Sequence, residues 1–272
     1  MKSVTTEELR TLQMEQLVYI DKVCRQNNIE YTLAGGTLLG AIRHGGYIPW
    51  DDDIDVEMTR PNYERLISLF IEELPENLSL IHYKTGEIYT QFAKLYDNRT
   101  TYRSDVAYLQ PEMGVFLDIF PIDNLPSDEQ ERKQFKSQVR KNQIRLRTSN
   151  PRGIDYACST KKIYFFGKTI VYFPAHLKNK GKNNQIAYAA DSLMQKYNKK
   201  ETGVVGFPDS HYQQAFFPVS VFSEYEDVSF EDITVRKIVD HDSYLKQQYG
   251  DYMVLPPEDK RVDHSYYQWF WK

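Results

Sequence analysis

Residues 51–58 read Asp-Asp-Asp-Ile-Asp-Val-Glu-Met, and few folds can accommodate that run. Its alternation predicts a strand over Asp51–Met58. Asp51, Asp53 and Asp55 would point to one face and Ile54, Val56 and Met58 to the other, because successive side chains leave a strand on opposite sides. The apolar face demands a core behind it. The three carboxylates repel one another, an arrangement best tolerated where a hard divalent cation neutralises them. A solvated acidic strand is the competing reading.

The surrounding sequence supplies a sheet and helices. Leu9, Leu12, Leu17, Ile20, Val23 and Cys24 recur at helical spacing over 5–28, with Thr5 or Thr6 as cap. Ile29–Ala34 reads as a buried strand, Gly35-Gly36 as a turn, and Thr37–Arg43 as a short helix capped by Thr37. Gly45–Pro49 is a loop, and a helix is expected over Pro61–Leu74. Further strands are expected at Leu78–Tyr83, Tyr89–Tyr96, Val115–Pro121, Gly203–Phe207 and Glu231–Val235, and a helix at His241–Tyr249. The formal charge of −4 is uneven: residues 131–182 hold 14 Lys or Arg against Glu131 and Asp155. That stretch reads as two helices broken at Pro151-Arg-Gly153, with a third over Lys182–Tyr197. The fold class is α/β (α+β): a mixed sheet core at about 1–126 and 201–272, carrying a basic helical insertion at about 127–200, in one catalytic unit.

Two familiar ion and phosphate motifs fail. An EF-hand loop starting at Asp51 needs Gly at position 56 and a carboxylate at 62, where Val56 and Asn62 stand. A P-loop over Gly35–Gly40 needs a following Lys, where Ala41 stands. What remains is a strand, a Gly-Gly segment and a helix N-terminus beside an acidic strand. The turn at Gly35, Gly36 and Thr37 can seat a phosphate on the N–H groups of Gly36, Thr37 and Leu38, and a metal on Asp53 and Asp55 can bridge to it. That combination suits phosphoryl transfer. Asp118, in the apolar run Gly114–Pro121, is the candidate third carboxylate, because an acid there is costly unless paired or bound to metal. It would complete coordination or act as general base; a buried structural Asp is the alternative.

Here the residues resemble a known family. The run Leu33-Ala-Gly-Gly-Thr-Leu-Leu-Gly-Ala-Ile-Arg-His-Gly-Gly-Tyr-Ile-Pro-Trp-Asp-Asp-Asp-Ile-Asp-Val is similar to the LicD signature, Gly114–Pro121 to its second block and Tyr249–His264 to its C-terminal block. The resemblance implies a nucleotidyltransferase-like fold and transfer of a phospho-alcohol from a CDP-activated donor, with Mg²⁺ or Mn²⁺ as cofactor. In bacterial members the donor is CDP-choline and the acceptor a sugar hydroxyl of a lipid-linked teichoic acid or lipopolysaccharide precursor, with CMP released. Fukutin-related relatives move ribitol phosphate, which keeps ribitol or glycerol phosphate open as the transferred group. Their Cys-rich zinc insertion has no counterpart here, since the chain has 2 Cys, Cys24 and Cys158. A non-catalytic glycan-assembly or membrane adaptor is the reading from another class, and the intact Asp51, Asp53, Asp55 and Asp118 argue against it.

The same resemblance makes Lys94, Arg261 and His264 expected phosphate or donor contacts; on sequence alone the last two read as surface. Arg43 and His44 leave the short helix toward the acidic loop and are further candidates, with helix-end electrostatics the alternative for Arg43. Metal ligands are expected among Asp51, Asp53, Asp55 and Asp118. A choline headgroup needs aromatic walls; Trp50, Tyr47, Tyr96, Tyr102, Tyr108 and the Tyr266–Trp271 cluster are candidates among 21 Tyr, 14 Phe and 3 Trp. Lysines flank the aromatic run Ile163–Phe173, so residues 161–182 read either as an interfacial helix on anionic lipid or as a bundle helix with a basic outer face. The net charge and the lack of a recognised module give no reason to expect nucleic acid as a partner. Two Cys, no apolar leader in MKSVTTEELRTLQ and no apolar run long enough to span a bilayer lead to an expected cytoplasmic location, peripheral at the inner face of the membrane.

Overall fold

The computed structural model describes residues 1–104, 112–159, 161–210, 214–258, 261 and 267–272. The chain opens with α1 (Thr6–Gln26), started by a reciprocal capping box: the Glu8 N–H donates to the Thr5 hydroxyl and the Thr5 N–H to the Glu8 carboxylate. Leu9, Leu12, Leu17, Ile20 and Cys24 form its buried side. Then come β1 (Thr32–Leu33), α2 (Gly35–His44), β2 (Asp55–Thr59), α3 (Arg60–Glu72), β3 (Leu78–Ile81), β4 (Ala93–Asp97), β5 (Thr100–Arg103) and β6 (Phe116–Asn124). The basic segment holds α4 (Glu129–Thr148), α5 (Lys162–Asn179) and α6 (Asn183–Met194). The tail holds β7 (Val204–Gly206), β8 (Phe217–Pro218), β9 (Tyr225–Phe230), β10 (Ile233–Ile238), α7 (His241–Tyr249) and β11 (Gln268–Trp271).

The central sheet is mixed, in the order β1-β2-β6-β4-β3, with β7 joining β6 and β8 joining β7. Only β2 and β6 run parallel; every other pair in it is antiparallel. Ile54, Val56 and Met58 lie fully inside, beneath Leu17 and Ile20 of α1, Leu38 of α2, Leu66 and Ile67 of α3, and Leu117 and Ile119 of β6. The expected α/β class with a mixed sheet and helical insertion is what the chain adopts.

Two local expectations are corrected. The acidic strand begins at Asp55, not Asp51. β1 offers two residues for pairing, Thr32 opposite Glu57 and Leu33 opposite Val56, so the ladder ends there. Upstream, the Asp51 N–H turns back to the Ile48 carbonyl and the Asp52 carbonyl is held by Gln13. The second correction concerns α2, which starts at Gly35 with Ala34 as its N-cap, so Gly35-Gly36 is its first turn and Thr37 is no cap. Gly35 has φ +49, and this left-handed residue lets β1 pass directly into the helix.

The insertion is tied to the core by charge as well as packing. Phe135 and Val139 of α4 and Met194 at the end of α6 share the central core. Arg60, nearly buried, reaches Asp123 of β6 at 2.5 Å and Asp191 of α6 at 2.8 Å. Tyr83 and Gln195 also donate to Asp191, and Asn198 donates to Asp123, so both carboxylates are well supplied with donors.

Candidate active site

Register, more than proximity in sequence, assembles the site. In the parallel β2–β6 pair Asp55 stands opposite Asp118, and in the antiparallel β4–β6 pair Lys94 stands opposite Asp118. Asp55, Asp118 and Lys94 therefore form one row across three strands. This row sits at the edge of a cavity of about 730 Å³, into which Asp51, Asp53, Asp55, Glu57, Asp118, Asp209 and Asp251 face. Arg43 is the one Lys or Arg among the described lining residues.

The N-terminus of α2 forms one wall, through Ala34, Gly35 and Gly36, and has no side-chain cap. The first-turn N–H groups of a helix lack intrahelical partners and carry the positive end of its dipole. The Gly35 N–H donates to the Tyr244 hydroxyl. Gly36 lets the Asp51 carboxylate approach closely, since a β-carbon there would lie 2.7 Å from one of its oxygens. Thr37 is buried, and its hydroxyl accepts the Asp55 N–H at 2.9 Å, fixing where β2 begins against α2.

Lys94 donates to Asp118 at 2.5 Å, with its ammonium 3.7 Å from the Phe116 ring centroid and 5.0 Å from that of Phe92. It is thus engaged with Asp118 and two aromatic faces rather than extended toward a ligand. Arg43 lines the cavity while donating to the Tyr252 carbonyl at 2.7 Å. His44 is exposed, set edge-on to Trp50, and burial together with the Arg43 charge lowers its pKa. Arg261 stacks over Trp50, its guanidinium carbon 4.4 Å from the ring centroid, so a C-terminal residue does reach the cavity mouth. His264, Tyr108 and Tyr266 lie outside the described residues.

Electrostatics single out two acids of β2. Burial, followed by the charges of Asp53, Asp118 and Asp51, pushes Asp55 well above the usual carboxylate range, although part of its surface stays open to the cavity. Burial pushes Glu57 up to about 7 despite a hydrogen bond from the Tyr244 hydroxyl at 3.0 Å. An acid whose ionisation is opposed by its neighbours' negative charges is one that a cation would favour. The donor set fits a divalent ion in the manner of Mg²⁺, which takes one or two carboxylates and completes its shell with water and substrate phosphate. Among the described residues no group of three His, Cys, Asp or Glu side chains is gathered into a ready metal cage.

Several cavity residues escaped the sequence reading. Glu57 continues the two-residue alternation from Asp55 and was legible in principle. Asp209, pushed up to about 7 by burial beside Gln91, Arg140 and Lys136, carries no local signal. Neither do Phe92, Phe120 and Phe207, which form an aromatic wall with ring centroids 4.4–6.0 Å apart. Of the aromatic residues expected to wall a headgroup site, Trp50 lines the cavity. Tyr47 is buried against Phe230, and Tyr96, Tyr102 and Trp269 pack with Tyr267 and Phe116 in a separate cluster.

Comparison with known proteins yields a family match and a near-full-length relative. Residues 28–151 match the family model described as LicD/FKTN/FKRP, nucleotidyltransferase domain. The chain is 31% identical over 281 aligned residues to the lipopolysaccharide cholinephosphotransferase LicD of Haemophilus influenzae, with 97% of each chain covered. It is 48% identical over 48 residues to the ribitol 5-phosphate transferase FKRP of human and mouse, covering 18% of this chain and 10% of theirs.

Proposed function

From the premise that the chain belongs to the LicD family and is a phosphotransferase, we propose that it moves phosphocholine from CDP-choline to a sugar hydroxyl of a lipid-linked lipopolysaccharide or teichoic acid precursor, releasing CMP. The observation that carries this reading is the Asp55–Asp118–Lys94 row beside the start of α2, at the edge of an acid-rich cavity. The near-full-length likeness to a cholinephosphotransferase supports choline as the alcohol.

In this reading Asp53 and Asp55 would hold Mg²⁺ or Mn²⁺, with Asp51 steadying them from the start of α2. The ion, when bound, would neutralise phosphate charge and polarise the bond that breaks. Gly35, Gly36 and Thr37 offer the helix N-terminus to donor phosphate, and Arg43, Trp50 and Arg261 close the same side. The acceptor oxygen forms a bond to the phosphorus of phosphocholine as the bond to the CMP oxygen breaks. Asp118, held by Lys94, takes the hydroxyl proton. The acidic lining and the Phe92–Phe120–Phe207 wall suit a quaternary ammonium, which cannot donate hydrogen bonds. The CDP donor and a lipid-linked acceptor would meet on the cytoplasmic face of a membrane.

CMP release from CDP-choline, with acceptor and Mg²⁺, tests the reading. Turnover that disappears with a chelator and in Asp53→Asn, whose melting temperature is retained, is expected. Absence of CMP with acceptor present would overturn it. The likeness to FKRP favours a second reading, in which CDP-ribitol is the donor; release from CDP-ribitol or CDP-glycerol alone would select another phospho-alditol.

A further inference from the structure

Helix α5 is inside out for a helix of a folded bundle. Its buried residues are His176 and Asn179, which face α4 and the turn at Asp155–Ala157: His176 lies against Tyr156, and Asn179 donates to Thr148. Its large apolar side chains point away. Ile163, Phe166, Ile170, Phe173 and Leu177 are 44–77% exposed and recur at steps of three and four, which is one stripe along a helix about 27 Å long. Tyr164 and Val171 widen it and are also exposed. Exposed large side chains gathered in this way, unlike single ones, mark an interaction surface.

Charge identifies what covers the stripe. Lys161 and Lys162 stand exposed at its start, and Lys178, Lys180 and Lys182 at its end. No acid occurs between Asp155 and Asp191, although the chain as a whole is acidic. Both ends being basic, pairing of α5 with a second copy of itself, in either direction, would set lysine against lysine. Among the described residues no helix is long and apolar enough to cross a membrane. An apolar stripe with lysines at both ends suits a surface that is apolar inside and anionic outside.

We propose that α5 seats this protein on an anionic bilayer, lying in the interfacial plane with the Ile163–Leu177 stripe among the upper acyl chains and the five lysines at headgroup phosphates. The inference rests on the surface of the insertion and not on the proposed reaction, and its test uses no substrate. The full chain would be sedimented with vesicles of phosphatidylcholine alone or with one third phosphatidylglycerol. Binding to the anionic vesicles that weakens with salt is expected, with little to the neutral ones. Lys161→Gln with Lys162→Gln would lower partitioning roughly twenty-five-fold, at about fivefold per lysine. Phe166→Ser with Ile170→Ser would abolish binding and leave the melting temperature unchanged, since both residues are exposed. Equal binding to neutral vesicles, no binding to either, or retained binding in the Phe166→Ser/Ile170→Ser variant would overturn the proposal. So would a dimer in light scattering that the same variant disperses, because the stripe would then be covered by a second copy.

Discussion

Replacing Lys94 by Met removes the ammonium that lies 2.5 Å from Asp118 while keeping a side chain of similar length between Phe92 and Phe116. Met sits well against aromatic faces, so the packing cost is small. The electrostatic cost is not. The side chains of Lys94 and Asp118 are 11% and 12% exposed, and Asp55 stands opposite Asp118 on the neighbouring strand. Removing one partner of a buried ion pair costs about 3–5 kcal/mol, because the other charge is left without compensation. At about 2.1 cal/mol/K per residue, a 272-residue chain unfolds with an entropy of roughly 0.57 kcal/mol/K, so that loss lowers Tm by about 5–9 K. Calorimetry on Lys94→Met measures it, and the double variant Lys94→Met/Asp118→Asn should recover most of the loss by removing the stranded carboxylate. Both variants should fail to release CMP. A single-variant loss under about 1 kcal/mol, or additive losses in the double variant, would refute the argument that Lys94 is there to neutralise Asp118.

Arg60→Met should cost a similar amount, about 3–5 kcal/mol in urea unfolding, since it strands Asp123 and Asp191 where the insertion meets the sheet; a loss under about 1 kcal/mol would mean the link is dispensable. Gly36→Ala should barely move Tm, because the atom its β-carbon meets is the movable end of Asp51, yet CMP release should fall by about tenfold or more as that carboxylate is displaced; unchanged turnover would remove Asp51 from the site. Burial holds His82 near pH 4 against an ordinary value of 6.5, so the folded state binds fewer protons than the unfolded chain in that window. Stability contributed by neutral His82 is full above about pH 6.5 and lost as pH falls toward 4. The Tm of His82→Gln should therefore fall less than that of the parent between those values, and parallel profiles would contradict it.

Much of the site was legible because its chemistry is written in short segments. The Asp51–Asp55 run, Gly35-Gly36 and Asp118 each carry a residue type that is costly unless it has a task, and all of them reach the cavity or its walls. The inside of the sheet was legible for the same reason: Ile54, Val56 and Met58 alternate, and all are fully buried. The helices of the insertion followed from Pro151 and Gly153, which break a long basic stretch. Strand ends were less legible. Asp51–Ile54 has the alternation of a strand but lies ahead of the paired residues of β2, because β1 is two residues long, and pairing is a property of two segments. The strands β5 and β11, paired Thr100–Arg103 against Gln268–Trp271, were missed on the same ground.

The sequence by itself determined the fold class, the acidic run ahead of a strand with a core behind it, a short helix at the glycine pair, and the contrast between an acidic body and a basic insertion. Each is a matter of residue type and local period. Tertiary structure alone decided which groups meet. It set Lys94 on Asp118, Tyr244 on Glu57 and Arg261 over Trp50, and it turned the apolar stripe of α5 outward. These outcomes depend on strand register and helix rotation. Both are fixed by burying the whole core at once, so no single segment encodes them.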